Sequence, residues 1–165
     1  MTVINSQILI LGLGNILLTD EGFGVHVIQE LNKRYSFPPN VTLFDGGTGG
    51  LSLLSQFQGK DYILIVDALL LNEKPGTIAQ FSMNTIPDNY QRKDTAHGID
   101  ILDVVAAAAL IDRLPSITVM GAQPADISNP GLDLTPELRK AMEILIGQII
   151  NELEIRGIQF RPKKT

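Results

Sequence analysis

A chain of 165 residues with 44% hydrophobic content is long enough to bury a sizeable core and too apolar to be disordered. It contains no cysteine, which excludes disulfides, thiolate metal sites and a nucleophilic thiol. A net charge of -5 and a pI near 4.9 argue against gripping nucleic-acid phosphates, because the basic residues are scattered.

Arg161, Lys163 and Lys164 form a short basic run that reads as a frayed tail rather than a binding patch. Residues 1–7 carry no basic leader, and the apolar stretch at 8–13 is far too short to span a bilayer. The expectation is therefore a cytoplasmic protein with neither a membrane nor a nucleic-acid partner. One domain is expected over residues 1–165, with an ordered core at about 7–157.

In chain order, Ile8-Leu9-Ile10-Leu11 is a continuous apolar run stopped by Gly12 and Gly14, the pattern of a strand buried on both faces. Residues 23–35 place Val27, Ile28, Leu31 and Tyr35 at helical spacing. A second strand at 41–44 ends in Asp45-Gly46-Gly47, and Thr48 is positioned to cap a helix running to about Phe57. The third strand, 62–66, runs into Asp67. Pro75-Gly76 is a turn leading to an antiparallel edge strand at 77–81. Residues 99–111 form an alanine-rich apolar helix, and 117–120 the last strand. Thr135 as N-cap, Pro136 at the first helical position and Glu137 in the first turn open the closing helix. Leu138, Met142, Leu145, Ile149 and Leu153 then repeat along one of its faces. Alternating strands and helices predict an α/β three-layer sandwich, with a twisted, mostly parallel sheet of about five strands covered by helices on both faces. The long connection between Gly121 and Thr135 breaks that rhythm, as functional loops often do.

In such sheets ligands bind beyond the carboxyl ends of the strands. Asp20 and Glu21 follow the first strand, Asp45 ends the second, Asp67 ends the third, and His97 precedes the alanine-rich helix. Carboxylates with an imidazole suit a divalent ion such as nickel or zinc. Each residue also has a structural reading. Glu21 in a first turn complements a helix dipole, Asp45 before two glycines forms a turn, and Asp67 caps or turns the chain. Asp67 follows four apolar residues, however, an expensive place for an unpaired carboxylate. His97 lies between Ala96 and Gly98 at a helix start, which favours a neutral imidazole free to bind metal. His26, between Val25 and Val27 in a helix, reads as a surface or core-edge residue.

Gly12-Leu13-Gly14 lacks the third small residue of a dinucleotide fingerprint, since Leu17 stands there. Gly46-Gly47-Thr48-Gly49-Gly50 is not followed by the lysine of a phosphate loop and suits an extended peptide better.

Gly12-Leu13-Gly14-Asn15-Ile16-Leu17-Leu18-Thr19-Asp20-Glu21-Gly22-Phe23-Gly24-Val25 resembles the opening motif of the nickel-iron hydrogenase maturation endopeptidases. Asp45-Gly46-Gly47-Thr48, Asp67-Ala68, His97 with its following helix, and Gly131-Leu132-Asp133-Leu134-Thr135-Pro136 are similar to the family's later motifs, in order. The closing loop carries an extra Asp. The resemblance covers about residues 7–155 and implies an endopeptidase that trims the C-terminal extension of a hydrogenase large-subunit precursor once nickel is inserted. It implies Glu21, Asp67 and His97 as ligands of nickel already held by the precursor's cysteines, and Asp45 as an accessory polar residue near the cleft that joins Asp67 and Glu21 in the catalytic set. Asp67 or Glu21 would then serve as general base of an aspartyl-type mechanism, with the nickel either polarising the scissile carbonyl or a water or acting as a recognition tag alone.

Two other functions compete. Peptidyl-tRNA hydrolases share a strand leading into Gly-Leu-Gly-Asn, but continue with Pro-Gly, where this chain has Ile16-Leu17. A non-catalytic chaperone of hydrogenase assembly would need a docking surface, for which Leu69-Leu70-Leu71 is the candidate.

Overall fold

A computed structural model of the chain describes residues 5–93, 100–110 and 113–164. A five-stranded sheet has the order β3-β1-β4-β6-β5. Its members are β1 (Ile8–Leu13), β3 (Val41–Gly47), β4 (Tyr62–Ala68), β5 (Ile78–Ser82) and β6 (Ser116–Ala122). β1 pairs in parallel with β3 and β4, β4 with β6, and only β5 runs antiparallel at its edge. The expected α/β sandwich and its antiparallel edge strand are both observed.

Every residue of β1 and β4 is buried because the two faces of the sheet are covered by different helices. Ile8, Ile10, Leu64, Val66 and Met120 pack with Phe23, Val27 and Leu31 of α1 (Phe23–Arg34) and with Leu138, Leu145 and Ile149 of α4 (Pro136–Ile155). Their alternate neighbours Leu9, Leu11, Ile63, Ile65 and Val119 pack with Phe57 of α2 (Leu54–Phe57) and with Ile101, Val104 and Val105 of α3 (Ile101–Ala108). The strands' period of two thus divides one apolar sequence run between two cores.

Two glycines of the opening motif set how closely α1 and the turn that precedes it approach the sheet and the end of β1. A Cβ on Gly24 would meet the Val66 carbonyl oxygen at 2.0 Å. Gly14 has φ of 133°, and a Cβ there would lie 1.8 Å from the carbonyl oxygen of Glu21. Gly24→Ala should therefore push α1 off the sheet and cost about 3 kcal/mol, a loss read directly as a lower denaturant midpoint in chemical unfolding.

Several local expectations change. Thr48 caps nothing: the turn of 3₁₀ helix at Gly50–Leu53 has Gly49 at its N-cap and leads straight into the short α2. The C-terminal run is paired rather than frayed, since β7 (Arg161–Pro162) pairs antiparallel with β2 (Tyr35–Ser36) and the Lys163 amide donates to the Arg34 carbonyl at 2.8 Å. Tyr35, Phe37 and Phe160 cluster with centroids 5.5 to 6.1 Å apart and anchor that end. Leu69 and Leu71 are buried, so Leu69-Leu70-Leu71 does not furnish an exposed docking face. No helix among the described residues is long and apolar enough to cross a membrane.

Candidate active site

The chain moves from β1 to β3 on one side and then to β4 on the other, so the sheet order reverses around β1. Loops leaving adjacent parallel strands in opposite directions open a crevice beyond their carboxyl ends. A cavity of about 280 Å³ lies there, lined among others by Glu21, Asp67, Lys93 and Asp100 and by the glycine-rich segment from Gly47 to Gly50.

Glu21 is carried by the turn of 3₁₀ helix at Thr19–Gly22 between β1 and α1. Asp67 lies near the end of β4. The structure brings the two together through a residue that sequence reading missed, Lys93. Its ammonium Nζ lies 2.7 Å from Asp67 Oδ1, to which it donates a hydrogen bond, and 3.4 Å from Glu21 Oε2. The three side chains are only 6% (Lys93), 7% (Asp67) and 13% (Glu21) exposed. Glu21 Oε2 is buried and has no hydrogen-bond partner among the described residues, only the longer ion-pair contact.

The charge states follow from this packing. Burial pushes the Asp67 carboxyl up to about 7, against the opposing pull of Lys93. Burial alone would lower the Lys93 ammonium, but Asp67 and Glu21 outweigh it and hold Lys93 above its ordinary range. Lys93 is thus a fixed cation between two acids and is unsuited to act as a neutral base.

Lys93 is held from behind. Its backbone amide donates to Asp100 Oδ2 at 3.1 Å, and the Tyr90 hydroxyl donates to the same carboxylate at 2.9 Å. Asp100 is also the N-cap of α3, accepting from the Leu102 amide at 3.0 Å, while Asp103 completes a capping box. The pattern Asp100-x-x-Asp103 before an apolar run was a usable signal for that cap. No sequence signal marks Lys93, because a lysine between Arg92 and Asp94 reads as solvated.

The other expected site residues divide. Asp45 has an exposed carboxylate that accepts from the Gly47 amide at 3.0 Å, a turn-forming contact, and it is not among the residues that line the cavity. Asp20, adjacent to Glu21, turns inward and is fully buried, with its carboxylate bonded to the Ala125, Asp126 and Thr135 amides. His26 is half-buried in α1, and its Nε2 has no hydrogen-bond partner among the described residues. Burial lowers its pKa against the pull of Asp133, Asp20 and Glu30. His97 lies outside the described residues, and among those described no group of three His, Cys, Asp or Glu side chains is arranged to hold a metal.

Fold and crevice define a three-layer α/β protein with a buried acid pair at its topological switch point. The family model for hydrogenase maturation proteases matches residues 25–152. A hydrogenase 2 maturation protease of Escherichia coli is 32% identical over 161 residues, covering 96% of this chain and 98% of that one. A hydrogenase expression/formation protein, HupD, of Bradyrhizobium diazoefficiens is 37% identical over 137 residues, covering 82% of this chain and 71% of its own. Among solved structures, the hydrogenase maturating endopeptidase HybD from E. coli is similar, with a TM-score of 0.83 at 33% identity, covering 95% of this chain and 98% of that one. The chain belongs to the hydrogenase maturation protease family and is a peptidase.

Proposed function

We propose that this peptidase acts in the cytoplasm and removes the C-terminal extension of a nickel-iron hydrogenase large-subunit precursor after nickel insertion. It engages the nickel that the substrate carries. The observation supporting this reading is the convergence of Glu21 and Asp67, from segments 46 residues apart in sequence, beside a crevice lined by the glycine-rich segment from Gly47 to Gly50.

The donor chemistry fits a substrate-borne ion. Two buried carboxylates, one with an unpartnered oxygen, supply hard or borderline donors. They would be poor at stripping nickel from cysteine thiolates but suited to complete its coordination. Glu21, Asp67 and His97 are assigned as the residues that meet it. When presented, the ion polarises the scissile carbonyl or a water. Whichever of Asp67 and Glu21 keeps a carboxylate oxygen off the ion accepts the proton of the attacking water and returns it to the leaving amine. Asp45 enters only by shaping the glycine-rich segment against which the tail lies extended.

Incubation of the purified protein with a nickel-loaded precursor should yield one new C-terminus by intact-mass measurement. No cleavage, with stable complex formation instead, would replace the enzyme by an assembly chaperone.

A further inference from the structure

The acid pair of this site is occupied. Lys93 Nζ sits between Asp67 Oδ1 and Glu21 Oε2, at 2.7 and 3.4 Å, in the position a shared cation would take. Two buried carboxylates need a countercharge, and in this structure the chain supplies its own. An ammonium and a divalent ion cannot occupy that position together, since like charges at contact distance in a poorly screened crevice repel strongly.

We propose that Lys93 is an internal plug. Its ammonium closes the Glu21–Asp67 pair to free divalent ions and is displaced only when a substrate presents one. The inference rests on the proposed function and adds a residue that makes engagement conditional. Two features suit Lys93 to this. Its backbone is fixed, through the amide bonded to Asp100 and the bridge between Gln91 and Leu70, so only the side chain needs to move. That side chain lines the cavity and therefore has open volume to swing into, on a flexible four-carbon stem. Glu21 Oε2, already without a hydrogen bond among the described residues, loses only the longer contact when the ammonium leaves.

The test is nickel affinity of the protein alone, by titration calorimetry at neutral pH. Lys93→Met and Lys93→Gln should bind Ni²⁺ at least about tenfold more tightly than the parent and gain a correspondingly larger thermal shift from it. Affinities equal to or weaker than the parent's would overturn the proposal. Should neither variant fold, amine acetylation of the parent decides. Lys93 should stay protected as free Ni²⁺ is titrated in and become reactive with nickel-loaded precursor but not with nickel-free precursor, while the exposed Lys33 stays constant. Lys93 made reactive by free Ni²⁺, or equally protected with both forms of the precursor, contradicts the plug. Processing of nickel-loaded precursor by the parent reads the functional assignment separately. Cleavage together with unchanged variant affinities would retain the peptidase and remove the plug.

Discussion

Asp67→Asn should lower the rate of precursor processing by about a thousandfold, the loss expected when a positioned proton acceptor and charged ligand is neutralised. The substitution is nearly isosteric, and Asn Oδ1 can still accept from Lys93 Nζ, which keeps the Glu21 ion pair at 3.4 Å. The fold should survive with a cost of about 1–2 kcal/mol for weakening a buried charge-assisted hydrogen bond. Rate and thermal unfolding measured on the same sample separate the two effects. A variant that processes at the parental rate would remove Asp67 from the site.

Asp20→Ala should have the largest effect on stability. The carboxylate is buried and accepts from the Ala125 amide at 2.9 Å, the Asp126 amide at 3.1 Å, the Thr135 amide at 2.8 Å and the Thr135 hydroxyl at 2.8 Å. Three backbone donors on the long connection after β6 thus share one acceptor group. Removing it strands all of them at about 1–3 kcal/mol for a buried unsatisfied group, relieved in part by water, for a net loss of about 4 kcal/mol. A melting temperature lower by roughly 10 °C is expected for a domain of this size. A change of only a degree or two would mean that the connection is held by other contacts, such as the Leu18–Gly131 bridge.

Asp20 and Glu21 show how far sequence reading reaches. Both fall in a loop at the carboxyl end of the first strand, and the switch-point rule selects both. Only the packing of the 3₁₀ turn decides that Asp20 points into the fold and Glu21 into the crevice. The strands were legible because β1 and β4 are buried on both faces and read as unbroken apolar runs. Thr135 was legible as the start of α4, yet its hydroxyl bonds Asp20 instead of capping the helix, a pairing 115 residues away in sequence that no local pattern encodes. Lys93 was invisible for the same reason, since its burial depends on two acids distant in sequence, Glu21 from the turn after β1 and Asp67 from β4. The paired tail escaped notice because Arg161 and Pro162 are polar or helix-breaking, and contacts distant in sequence, the aromatic one at Phe160 and the Lys163 amide on Arg34, hold them. The Gly-Leu-Gly-Asn turn that suggested a peptidyl-tRNA hydrolase serves here to bring the Glu21 turn against Gly14, within a hydrogenase maturation protease fold.

All of the proposed chemistry requires a metal presented by the substrate to meet Glu21 and Asp67. The most direct measurement is parallel digestion of one large-subunit precursor, prepared with and without nickel, followed by intact mass. Loss of the tail from the nickel-loaded form alone is the expected result; equal cleavage of both forms would contradict it.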